Sequence, residues 1–259
     1  MPRPPARAVI ASTLTAGALL TASACSAVGL DQAAGGVRAP ASPAGNTGAP
    51  RVPAADPTLT QAQARAALIG EADLGEPWVP TEGFATWRES MLKATTESEE
   101  CGRLLDSLYA EELFGPDARV RASVGLDDQW GEAQLRYQVV AHRPADVDRA
   151  LAWLDGLSSE CGRFTARARG GPMTVWVRGV ELPEVGDARQ GLRIVLGAVS
   201  EDEEAPTLTF DVAAVRVGDD AIVVTTGGLG EVSADATRTA VEVGAERLAE
   251  VRKRGRARV

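Results

Sequence analysis

Few residues in this 259-residue chain are equipped for chemistry, and those few stand far apart. There is one histidine, His142, and there are three cysteines, Cys25, Cys101 and Cys161. His142 closes an alternating stretch just before Arg143-Pro144. It could act as a general base, but a base needs a nucleophile within hydrogen-bond reach, and none stands near it in sequence. A solvated or edge histidine is the plainer reading. HExxH, GxSxG, the phosphate-binding loop and GxGxxG opening a helix are all missing from the chain. Apart from Cys25, the pair Cys101 and Cys161 with one histidine falls short of a zinc set. No metal and no cofactor is therefore expected, and binding is expected rather than catalysis.

Three further features offer weaker chemistry. Glu201-Asp202-Glu203-Glu204 could meet calcium, yet calcium loops interleave their ligands with glycine, and four acids in a row read as a solvated turn. Gly227-Gly228-Leu229-Gly230, ahead of a helix, could bring backbone amides to an anion, or could be a turn needing positive φ. The chain carries five tryptophans against four phenylalanines and two tyrosines. Trp153 and Trp176 fall inside periodic stretches, while Trp78, Trp87 and Trp130 lie in loops or edges. Tryptophans so placed line ligand clefts or pack rims. Trp87 and Trp130 are the leading candidates for a binding surface. Carboxylate pairs able to cleave glycosides could hide among 36 acids, so an envelope hydrolase stays as a competing class.

Cys25 has the most informative surroundings. Arg3 and Arg7 form a basic start, Ala8 to Leu20 an apolar run, and Ala22-Ser23-Ala24 a small-residue cleavage site. The run is shorter than the ~20 residues that span a bilayer. With Cys25 following it, the segment resembles a bacterial lipobox, which implies a signal peptide over 1–24 and a cysteine acylated before cleavage. Ala22 departs from the usual leucine, and Ala-Ser-Ala also serves as an ordinary secretory site. The resemblance implies a protein held on the extracytoplasmic face of the cell membrane through lipid on Cys25. Cys101 and Cys161 can then close one disulfide in an oxidising compartment, the alternative being two separate buried thiols.

Charge narrows the partners. Residues 57–250 hold 18 basic and 34 acidic side chains, a net of −16, which repels phosphate backbones and argues against nucleic acid. The last eight residues, 252–259, are basic and read as a frayed tail that could touch anionic lipid or an acidic partner.

Residues 25–57 are rich in Ala, Gly, Pro, Ser and Thr without apolar periodicity and read as a disordered tether. The folded part is expected over 58–251. Thr60 to Gln63 resembles a capping box opening a short helix that ends by Asp73-Leu74-Gly75. Gly83 to Lys93 is ambiguous, with an edge strand carrying Trp87 as one reading. Cys101, Leu104, Leu105 and Leu108 share one helix face, and Val147, Ala150, Leu151, Leu154, Leu157 and Cys161 another. Between these helices a hairpin turns at 127–131; after them four strands begin at Met173, Gly191, Thr207 and Ala221, and a helix follows Ser233. Short connections make the sheet antiparallel, and the element order makes the class α+β.

Several of these pieces resemble the PknH-like extracellular sensor domain family of actinobacteria. They are Asp73-Leu74-Gly75 with Trp78, Cys101 opening a helix, the hairpin, and the helix ending in Cys161. Leu182-Pro183-Glu184-Val185-Gly186-Asp187 and the stretch from Val215 to Val224 complete the set. The resemblance implies an antiparallel sheet flanked by helices, with a cleft for a ligand. The kinase-attached member has two disulfides, whereas this chain can make one. With no kinase domain and no membrane-spanning helix read here, a signal would pass to another protein. The partners expected are the membrane, through the N-terminal lipid, and a small ligand or an envelope protein.

Overall fold

The computed structural model describes residues 59–83, 85–131, 133–199 and 207–257. All belong to the second of two compact units, 53–259. The signal segment, Cys25, the tether and the Glu201–Glu204 run lie outside the described residues.

In chain order the elements are α1 (Gln61–Ala66), α2 (Glu71–Leu74), β1 (Trp78–Pro80), a π-helical turn (Arg88–Leu92) and α3 (Glu99–Ala110). There follow β2 (Arg119–Asp128), β3 (Gln134–Ala141), α4 (Pro144–Glu160), β4 (Arg163–Ala168) and β5 (Gly171–Val180). The chain continues with β6 (Ala188–Ala198), β7 (Thr207–Val217), β8 (Asp220–Leu229) and α5 (Ala234–Arg256). The eight strands form one antiparallel sheet in the order β1-β2-β3-β8-β7-β6-β5-β4. The class is α+β, as the element order implied.

Period-two alternation divides the apolar residues between two cores. Val175, Val177, Ile194, Leu196, Phe210 and Val212 face α3 and α4. Leu135, Tyr137, Val139, Ala213, Val215, Ile222 and Val224 face α5 and α1. The helices present matching stripes: Leu104, Leu105 and Leu108 from α3, Leu151, Leu154 and Leu157 from α4, and Ala240, Val241 and Leu248 from α5. Their starts follow local chemistry. Thr60 and Gln63 exchange the reciprocal bonds of a capping box, the Ser98 hydroxyl accepts from the Cys101 amide, and Pro144 sits in the first turn of α4.

Cys101 and Cys161 are joined, with Cα atoms 5.6 Å apart. The bond ties the first turn of α3 to the C-cap of α4.

Four sequence expectations are corrected. Residues 83–93 hold no edge strand: they form the π-helical turn, and Trp87 is buried because the segment folds inward over the core. Gly227 and Gly228 are not a turn but lie inside β8, paired with Phe210 and Thr209. A further strand, β4, precedes Met173. The basic stretch beginning at Arg252 is not a loose tail, because α5 runs to Arg256.

Arg252 is buried and pairs with Asp219 at 2.7 Å and with Asp220, which is fully buried at the β7–β8 turn. The Leu59 amide also donates to Asp220. Burial pushes the Asp220 carboxyl above its ordinary value, and the Arg252 charge opposes that rise. A second tie links α2 to α5: Arg247 contacts Asp73 at 2.7 and 2.9 Å and donates to the Leu68 carbonyl.

Two outcomes follow for stability. The Cys101–Cys161 bond closes a 60-residue separation, for which the chain-entropy relation gives about 4 kcal/mol. Urea unfolding of C101S/C161S should lose stability on that scale, and a reducing agent should then change nothing further. The Arg247 hydrogen bond holds Asp73 below 3.8, so this carboxylate contributes stability above about pH 4 that is lost as pH falls through its lowered folded value. Asp73→Asn should cost about 1 kcal/mol at pH 7, and the gap to the unsubstituted protein should narrow as pH falls below about 4.

Candidate functional site

The residue that organises the site is Trp87. Its indole meets the Phe210 ring edge-on, at 5.2 Å between centroids and 79° between planes. Phe210 projects from β7 toward α3 and α4, and its cross-strand partner is Gly227. A Cβ on Gly227 would lie 2.4 Å from Phe210 Cε1, so glycine here is a space requirement of the ring. Trp87, Phe210 and Gly227 thus make one stack from the π-helical turn down to β8.

Arg88 fixes that turn to α3. Its guanidinium donates to the carbonyls of Leu108 and Tyr109 at 3.1 and 3.2 Å, where the last turn of α3 leaves them open. It also pairs with Glu111 at 3.2 Å. Glu111 takes the left-handed conformation that ends the helix and reaches Arg136 of β3 at 3.0 Å. One carboxylate therefore joins the segment carrying Trp87, the end of α3 and the sheet.

Beside Trp87 opens a pocket of about 620 Å³. Trp87, Ser90 and Met91 form one wall, the turn from Arg169 to Met173 another, and Ala198 and Leu229 close the far side. Trp87, Met91, Pro172, Met173, Ala198 and Leu229 make the lining mostly apolar. Its polar groups are few. The Ser90 hydroxyl bonds back to the Trp87 carbonyl at 3.2 Å, while exposed Arg169 has no ion-pair partner among the described residues. An apolar wall with a single free cation at the mouth suits the general anatomy of small-molecule sites.

The two tryptophans named from sequence part company. Trp87 lines the pocket, whereas Trp130 stands 78% exposed on the β2–β3 turn and is not among the lining residues. The other three are placed by packing and partners. Trp78 is buried under the second core, Trp153 donates to Glu100 at 2.8 Å beneath Arg103, and Trp176 is exposed beside Arg163. His142 sits 3.8 Å from Asp146, a carboxylate already held by Arg143 and Arg149. Among the described residues, no group of three or more His, Cys, Asp or Glu is placed to hold a metal ion.

Met91, Arg169, Met173, Ala198 and Leu229 were not read as site residues from the sequence, although Met173 opened an expected strand and Leu229 lay in the glycine-rich stretch. They come from separate stretches that only strand pairing brings together. A local cue left unread was the Gly170-Gly171-Pro172 break just before the strand read from Met173.

Gly227→Ala tests the stack. Overpacking against Phe210 should cost about 1–3 kcal/mol and shift the near-ultraviolet circular dichroism of Trp87. Trp87→Phe should remove that part of the spectrum.

No family model and no curated protein matches this chain. Among solved structures, its fold is similar to that of the extracellular domain of PknH from Mycobacterium tuberculosis, at 13% identity and a TM-score of 0.44, over 75% of this chain and 97% of that one.

Proposed function

We propose that this chain is a lipid-anchored, extracytoplasmic binding protein whose folded domain takes a small, largely apolar ligand without transforming it. The pocket beside Trp87 carries the reading, since it offers an apolar wall, a single cation and enough volume for a compact organic molecule. Export is supported by the n-region, apolar run and Ala-Ser-Ala-Cys sequence, and by a disulfide suited to an oxidising compartment. Residues 1–24 act as the signal, Cys25 carries the lipid, and 25–57 tether a domain that begins at 58 and includes all of α5. Among the described residues no helix is long and apolar enough to cross a membrane. A ligand-dependent signal would pass to another envelope protein.

Binding is read with 1-anilinonaphthalene-8-sulfonate, an apolar ring system bearing an anion that Arg169 can meet. The full chain should bind it with enhanced fluorescence. Met91→Trp, which fills the pocket, should weaken binding about tenfold or more, a loss of about 1.4 kcal/mol or greater. Equal binding by both proteins overturns the ligand reading. A native mass spectrum of protein taken from its own membrane reads the anchor: acyl mass on Cys25 supports it, and a free N-terminal cysteine sinks it.

A further inference from the structure

The half of the sheet formed by β4, β5 and β6 has one side under α4, and among the described residues no long helix packs on its opposite side, since α5 packs over β7 and β8. On that open side the register aligns Arg163 with Trp176 and Val195, Thr165 with Thr174 and Gly197, and Arg178 with Arg193. These three strands contain five arginines and no acidic residue, in a domain whose residues 58–257 carry a net charge of −12. Arg193 is neutralised by Asp211 at 2.5 Å. Arg163, Arg167 and Arg178 are exposed and have no ion pair among the described residues. Glu97 lies in a shallow cavity beside Arg167 but forms no ion pair with it. Arg178 stands directly opposite Arg193, whose charge Asp211 already meets, so Arg178 is the cation of that cross-strand pair left without an anion.

Trp176 sits amid these cations, 41% exposed. Its ring lies down on the sheet, because a Cβ on Gly197 would be only 3.4 Å from Cζ3. The Arg163 guanidinium is 5.8 Å from the ring centroid. From Arg167 through Thr165 and Thr174 to Arg163, Trp176 and Arg178, the cations fall along a line of about 20 Å. The line is longer than one small anion.

The geometry points to this face as a docking surface for an acidic polysaccharide, an extended polymer whose anionic groups are separated by uncharged sugar rings. A sugar presents C–H groups to the negative face of an indole, hydroxyls to the threonines and carboxylates to guanidinium planes. The occupant must be sparsely charged. A nucleic-acid strand carries a phosphate every few ångströms and would be repelled by the rest of the domain. A membrane surface would need an apolar wedge that projects, and Trp176 instead lies against Gly197.

This surface is separate from the pocket beside Trp87. On β5, Met173 turns into the pocket while Trp176 and Arg178 turn to the open side. The test titrates the full chain calorimetrically with hyaluronan oligosaccharides, which carry a carboxylate on alternate sugars. Uncharged chito-oligosaccharides, polyglutamate and anionic phosphatidylglycerol vesicles are run alongside. Hyaluronan should bind, weaken as salt is raised, and exceed the uncharged oligosaccharide by about tenfold. Trp176→Thr and Arg178→Gln should each weaken it about tenfold while binding of the naphthalene sulfonate probe in the pocket stays unchanged. Absent hyaluronan binding, equal binding by both variants, or tighter binding of polyglutamate or vesicles would overturn the assignment. Loss of the pocket probe alone bears on the pocket reading and leaves this one standing.

Discussion

Every side chain of β7 from Leu208 to Val215 is buried, so this strand must be covered on both sides at once. Leu208, Phe210, Val212 and Ala214 need the α3–α4 layer, and Ala213 and Val215 need α5. Two polar members of the strand follow from that demand. Thr209 and Asp211 face the α5 side near the sheet's open half, and Asp211 is tolerable there because Arg193 meets it with two hydrogen bonds. Remove either helix layer and one complete set of β7 residues is exposed. The placement of Trp87 is a by-product of the same demand: Phe210 reaches the edge of what α3 and α4 can cover, and the indole covers the remainder. The pocket is the space left beside that repair.

Regular segments were legible in the sequence because their periodicity is strong. α3, α4 and α5 announced one apolar face each, and β5 to β8 carried the β-branched residues of a buried sheet. β4 escaped because its inward residues, Phe164, Ala166 and Ala168, are mostly small, and an edge strand needs little burial to hold its place. The glycines of β8 suggested a turn because glycine marks open backbone in most contexts. Only a three-dimensional neighbour, Phe210, makes Gly227 a packing residue. Arg252 was read with the basic residues that follow it because charge alone suggested a tail. The acids that claim it, Asp219 and Asp220, lie 33 and 32 residues earlier.

The candidate site was legible in part. Tryptophan content pointed to Trp87 and Trp130 alike, since both lie in irregular stretches with similar flanks. Position separates them. One is pressed against Phe210, and the other stands alone at the tip of a hairpin. The remaining pocket residues come from the ends of β5, β6 and β8 and the turn before β5, which strand order brings to one end of the sheet. No local pattern encodes that order. The arginines of the open face were visible individually, but their alignment on one side of the sheet depends on register, which a one-residue slip would reverse.

The pairing of β3 with β8 has a consequence for how the chain is made. The first three strands cannot join the rest of the sheet until β4 to β7 have been synthesised and β8 has followed. Even then the second core stays open until α5 follows β8 and brings Arg252 over Asp220. Until α5 has been made the domain stays open and threadable, a useful property wherever a protein must pass through a narrow channel before it folds.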